Sequence, residues 1–378
     1  MKIVIAIDSF KGSLSSLEAG NAVARGIKMA CSDADITVYP IADGGEGTVE
    51  AVISALDGKL QNVTVSDPLG IPVESSYGIA NGTAIIEMAA ASGITLVSEN
   101  ERNPMNTTTY GVGELIKDAI QNGIRNFVIG IGGSATNDGG IGMLSALGFE
   151  FLDKNGKPVP FGAKGLECLA EIRLENALKE LKDCSFKVAC DVKNPLCGEN
   201  GCSAIFAPQK GATAEMIEKM DAWLESYAKL TKELLPHSDP NLPGSGAAGG
   251  LGFALRSYLG ATLTPGIDLI IEATNLESII KDADIVITGE GRLDGQSYMG
   301  KAPVGVAKLA KKYRKTVIAF AGAVTPDASV CNAHGIDAFF PAVRKPCTLG
   351  EAMDPENAKA NLADTAEQVF WLINSISK

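Results

Sequence analysis

Lys2-Ile3-Val4-Ile5-Ala6-Ile7-Asp8-Ser9, near the start of the chain, and Asp284-Ile285-Val286-Ile287-Thr288-Gly289, near its end, are the stretches that decide the fold. Each is a short unbroken apolar run, the pattern of a strand covered on both faces of a parallel sheet. Outward from the first, residues 17–29 place apolar side chains at helical spacing behind Ser15 or Ser16 as N-cap, and residues 36–41 supply a second strand, closing a βαβ unit. Asp43-Gly44-Gly45-Glu46-Gly47-Thr48 then opens a helix over 49–56 that Gly58 ends. Outward from the second stretch, a helix over 303–312, strands over 316–321 and 338–341, and a helix over 360–376 continue the alternation. Five parallel strands with intervening helices predict an α/β fold, a flavodoxin-like doubly wound sheet of order 2-1-3-4-5, assembled from residues 1–61 and 282–378.

Between these ends the pattern changes. Residues 63–65, 71–77 and 83–87 read as antiparallel strands joined by Asp-Pro, Leu-Gly and Asn-Gly turns. A helix over 112–121, a strand over 127–131, a glycine-rich loop and a long amphipathic helix over 215–234 follow. Residues 62–281 are therefore expected to form a second α/β domain, containing a mixed sheet, inserted into the first.

A chain of 378 residues exceeds what a single growing core accommodates, which agrees with two domains. A net charge of −12 without a basic run argues against a nucleic-acid surface, and no apolar stretch reaches membrane-spanning length. The first strand begins at once, with no leader-like segment ahead of it, so the eight cysteines are expected to be reduced thiols of a cytoplasmic protein. Cys184, Cys190, Cys197 and Cys202 are irregularly spaced and include no Cys-x-x-Cys pair, unlike a zinc site. The oligomeric state stays open. With His237 and His334 the only histidines, any general base is expected to be a carboxylate.

Open α/β sheets bind ligands beyond the carboxyl ends of their strands, where the strand order reverses. Here that point lies between the strands ending at Asp8-Ser9-Phe10-Lys11 and Gly289-Glu290-Gly291-Arg292-Leu293-Asp294, with Asp43 close by after the second strand. The inserted segment offers two glycine-dense loops, Gly130-Ile131-Gly132-Gly133-Ser134-Ala135-Thr136-Asn137-Asp138-Gly139-Gly140 and Gly244-Ser245-Gly246-Ala247-Ala248-Gly249-Gly250-Leu251-Gly252. It also carries Asp191 at the end of an apolar run, with Lys193 two residues on. Carboxylates for a metal or a base, cationic side chains and backbone amides for an anion are what phosphoryl transfer requires. The alternatives are structural: glycines for tight turns, aspartates as caps or Asx-turns, Lys11 as a solvated surface lysine. Glu18 and Glu50 read as solvent-facing.

At six segments the sequence resembles the bacterial glycerate kinases of the first class, and the resemblance runs over the whole chain. The segments are residues 6–12, 40–48, 130–140, 189–196, 248–252 and 288–296, without departure from the family pattern. The resemblance implies phosphorylation of D-glycerate by ATP with Mg²⁺ in the interdomain cleft, with 2-phosphoglycerate favoured over 3-phosphoglycerate. It also implies a flavodoxin-like domain carrying an inserted α/β domain. On that reaction, Lys11 or Arg292 is expected to hold the substrate carboxylate, with Asp8, Ser9 and Glu290 lining the substrate site. Asp191, or failing it Asp294, is expected to accept the hydroxyl proton. Gly132, Gly133, Ser134, Asn137, Gly249 and Gly250 are expected to receive phosphate oxygens, and Asp43 and Asp138 the Mg²⁺ ion.

Two rival readings are an NAD-dependent hydroxy-acid dehydrogenase and a non-catalytic sensor of sugar acids. The first lacks Gly-x-Gly-x-x-Gly after the opening strand, since the only such string, at 244–249, follows a proline-containing loop. The second lacks both a leader-like segment and a DNA-binding motif.

Overall fold

The computed structural model describes residues 1–376. The chain divides into two compact units, Met1–Asp43 with Glu50–Asp57 and Pro265–Lys378 in one, and Gly44–Val49 with Gly58–Thr264 in the other. The second crossing thus falls earlier than the expected 281/282. The reason is packing, because helices Gly266–Thr274 and Leu276–Lys281 bury Ile267, Leu276 and Ile280 among Val4, Val286 and Val317 of the first unit.

In the first unit, strands Asp35–Val38, Lys2–Ile7, Ile285–Leu293, Thr316–Val324 and Ala338–Pro341 lie side by side in that order, every neighbouring pair parallel. Numbered within this sheet the order is 2-1-3-4-5, and it reverses between Lys2–Ile7 and Ile285–Leu293. The unbroken apolar runs follow from burial of both faces. Val4, Ala6, Val286, Val317 and Ala319 pack with helix Ala302–Lys312 on one side. Ile3, Ile5, Ile7, Ile287 and Phe320 pack with helices Ser16–Ala30 and Pro355–Ile376 on the other. These two helices cross closely enough that a Cβ on Gly26 would lie 2.0 Å from the Ala363 carbonyl oxygen, so only glycine fits. Ser15 caps helix Ser16–Ala30 and Glu18 returns a bond to the Ser15 N–H, so Glu18 is a capping-box residue and not merely solvent-facing. The final helix starts at Pro355, a turn earlier than expected.

In the second unit, a six-stranded mixed sheet runs Thr262–Thr264, Ser185–Ala189, Asn126–Gly130, Thr83–Glu87, Pro72–Ala80, Lys59–Ser66. Only the last two pairings are antiparallel. Thr83–Glu87, expected as an antiparallel strand, is antiparallel to Pro72–Ala80 and parallel to Asn126–Gly130. A separate antiparallel pair joins Glu150–Asp153 to Leu169–Arg173. Three neighbouring parallel strands deliver Glu87, the loop 131–140 and Asp191 at their carboxyl ends. Among the described residues no helix is long and apolar enough to cross a membrane.

Candidate active site

At the reversal point of the first unit, Asp8 leaves its strand with a side chain only 3% exposed and accepts the Ser9 N–H at 2.7 Å. Burial and the neighbouring Asp43 carboxylate push Asp8 up to about 7, against the pull of the Ser9 N–H and the Lys11 ammonium, while Glu290 pushes further. Lys11 reaches Asp43 at 3.5 Å. Burial lowers that ammonium, but the charges of Asp43 and Asp8 outweigh it and its pKa is raised.

On the adjacent strand, Glu290 is 8% exposed and accepts the Ser297 hydroxyl at 2.6 Å. Its carboxyl is raised by burial, opposed by Ser297 and Lys301 and reinforced by Asp294 and Asp43. Lys301 lies 3.7 Å from both Glu290 and Asp294. Asp294 also accepts the Gln296 N–H at 2.9 Å and meets the exposed Arg292 guanidinium at 3.7 Å. The expected substrate-site residues Asp8, Ser9, Lys11, Glu290 and Arg292 are thus gathered with Asp43 and Asp294. Sequence reading missed Lys301 and Ser297, which follow the quoted motif within a few residues and carry no distinguishing spacing of their own.

The glycine loop of the second unit is tied down on its carbonyl and hydroxyl side. Gly133 O accepts the Ile94 N–H at 2.8 Å, and Ala135 O the Thr107 hydroxyl at 2.8 Å. The Lys210 ammonium donates to Ser134 Oγ at 2.7 Å and to Thr136 O at 2.6 Å. Asp138 is fully buried and accepts both the N–H and the hydroxyl of Thr109, at 2.8 and 2.9 Å, and the N–H groups of Gly140 and Gly142, at 3.0 and 3.3 Å. Burial raises its pKa against these four donors. Asp138 Oδ2 thus takes three donors from Thr109 and Gly142 and Oδ1 takes the Gly140 N–H, so the carboxylate expected at Mg²⁺ is largely engaged by protein donors and fully buried.

Asn137 is likewise turned inward, donating to Ser203 Oγ at 2.9 Å. Gly249 and Gly250 are buried, and a Cβ on them would lie 2.1 Å from Thr136 O and 2.8 Å from Gly139 Cα respectively. Their missing side chains make room for the neighbouring loop. Gly132 and Gly133 are exposed, Gly133 at φ +73°. Behind them, a Cβ on Gly130 would meet the Gly44 carbonyl oxygen at 2.2 Å, so two glycine-rich turns stack backbone to backbone. An exposed, side-chain-free backbone of this kind fits a phosphate group.

Glu87 closes the same region. Burial raises its carboxyl, while the Val49 N–H, at 2.7 Å, and those of Gly47 and Thr48 lower it, so it anchors the residues that open helix Thr48–Leu56. Neither Glu87 nor Lys210 was singled out from sequence. Asp191 is exposed just beyond strand Ser185–Ala189. Among the described residues no group of three or more His, Cys, Asp or Glu is arranged to hold a metal by protein ligands alone. The donor set around Asp43 still suits Mg²⁺, a hard cation that uses one or two carboxylates and keeps several waters.

Comparison with known proteins agrees with the resemblance read from the motifs. The model of the glycerate kinase family matches residues 3–374. The glycerate 2-kinase of Escherichia coli (strain K12) is 51% identical over 93% of this chain and 93% of its own. The glycerate kinase of Haemophilus influenzae is 48% identical over 98% of each. A crystal structure assigned to glycerate kinase 2 of Salmonella typhimurium LT2 superposes with a TM-score of 0.91 at 47% identity, covering 100% of this chain and 99% of that one. Because the family model matches nearly the entire sequence and these relatives are covered over 93% or more of their own length, the chain belongs to the glycerate kinase family.

Proposed function

We propose that this chain transfers the γ-phosphoryl group of ATP to the 2-hydroxyl of D-glycerate, giving 2-phosphoglycerate and ADP, with Mg²⁺ as the metal. The observation that carries the reading is the crowding of Asp8, Asp43 and Glu290 between Lys11 and Lys301 at the strand ends of the parallel sheet. Carboxylates that repel one another in the free protein are relieved by a divalent cation, and ammonium groups beside them receive an anionic substrate. The name of the Escherichia coli relative supports the 2-hydroxyl as acceptor.

Lys11 takes the glycerate carboxylate, aided by Arg292, while Asp8, Ser9 and Glu290 line the same pocket. Asp43 faces the ion, which when bound neutralises charge on the phosphate oxygens. Gly132 and Gly133 offer their backbone to the phosphates. Asp191, exposed at a strand end, accepts the hydroxyl proton, with Asp294 the second choice; the four groups around Asp294 fit it better for orienting Lys301 and Arg292.

The test is ADP release by the purified chain. It should require D-glycerate and Mg²⁺ together and stop on chelation of the metal. Release that ignores glycerate, or persists without divalent metal, would refute the reading.

A further inference from the structure

Lys210 has no part in the chemistry above, yet it is 2% exposed and carries an ammonium into the interior of the second unit. It comes from the short turn Pro208–Lys210 and donates to Ser134 Oγ and Thr136 O of the glycine loop. Among the described residues no carboxylate forms an ion pair with it. Asp138 and the buried Cys202 thiol are the titratable groups that act on it from a distance. A buried charge without a paired countercharge is costly, and a methionine or leucine would fill the same volume without that cost. The charge is therefore retained for what it does to the loop.

The hydrogen-bond pattern of the loop says what that is. The Gly133, Ala135 and Thr136 carbonyls and the Ser134 hydroxyl all point at donors from outside the loop. Among the described residues, the N–H groups of Gly133 and Ser134, at the exposed end of the loop, find no acceptor, whereas Thr136 and Asn137 are fully buried. In a trans peptide the C=O and N–H point in opposite directions, so the Gly133 carbonyl held by the Ile94 N–H turns the Ser134 N–H away from it, while Lys210 pins Ser134 Oγ and Thr136 O on the buried side of the same loop. Resting on the phosphoryl-transfer reading, we infer that Lys210 is a positioning residue that fixes this loop with its amides directed at the nucleotide phosphates.

Lys210→Met keeps the bulk and removes the charge, whereas Lys210→Arg keeps the charge. In the full chain, Lys210→Met should raise the KM for MgATP at least about tenfold while the D-glycerate KM stays within about twofold, and Lys210→Arg should recover part of that loss. A folded Lys210→Met enzyme with unchanged KM values, or with both raised equally, overturns the inference. Should Lys210→Met fail to fold, Ser134→Ala removes the loop's half of the contact. It should raise the MgATP KM about threefold, and an unchanged value overturns the inference. An active wild type with unaffected variants refutes this inference alone, whereas a wild type inactive on glycerate refutes the function it rests on.

Discussion

The strand ends of the first unit and the glycine loop of the second both bury charged groups, but they treat charge in opposite ways. In the first, Asp8, Asp43 and Glu290 are close enough to repel, Asp8 is pushed up to about 7, and the nearby ammonium groups sit at 3.5 to 3.7 Å rather than in tight ion pairs. In the second, Asp138 is equally buried but meets four donors, and Lys210 meets two acceptors at 2.6 and 2.7 Å. One region stores unfavourable electrostatics that a ligand can relieve. The other spends its polar groups on holding a backbone shape.

The largest effect should come from the satisfied region. Asp138→Ala leaves four buried donors without an acceptor and should cost at least about 3 kcal/mol, read by denaturant unfolding. A loss below about 1 kcal/mol would mean that the loop does not depend on this clamp. Asp191→Asn should lower kcat by about a hundredfold with little change in the glycerate KM, as loss of a general base does, and near-normal turnover would remove Asp191 from the chemistry. Lys11→Ala should raise the glycerate KM about tenfold, whereas a selective rise for ATP would move Lys11 to the nucleotide side.

The pH dependence of Asp8 sharpens the contrast most. Asp8 ordinarily titrates near 3.8 and is pushed up to about 7, so between those values the folded chain keeps a proton that the unfolded chain has lost. Stability therefore falls as pH rises through that window and is flat above it. Asp8→Asn removes the slope, and its Tm relative to wild type should be higher at about pH 8 than at about pH 3.5. An equal shift at both pH values would show that Asp8 is not strained by charge.

How much of this could be read from sequence depended on whether a feature was local. The parallel sheet was legible because Lys2–Ile7 and Ile285–Leu293 announce burial on both faces through composition alone. The residues beyond those strands were legible because a strand end fixes where they emerge. The unit boundary at Thr264 was not, since helices Gly266–Thr274 and Leu276–Lys281 are amphipathic and amphipathicity does not say which sheet is covered. Lys210, between Gln209 and Gly211, reads as a solvated lysine, and only the fold buries it. The inward turn of Asn137 and Asp138 was hidden for the same reason, because their partners Ser203 and Thr109 are distant in sequence.

The most direct test of the proposed reaction is a phosphorus NMR spectrum of the purified chain incubated with D-glycerate, ATP and Mg²⁺. The expected result is loss of the ATP γ-phosphate signal with matching growth of ADP and a phosphomonoester coupled to the single C2 proton of 2-phosphoglycerate. A phosphomonoester coupled to the two C3 protons would contradict the assigned hydroxyl, and inorganic phosphate alone would contradict glycerate as the acceptor.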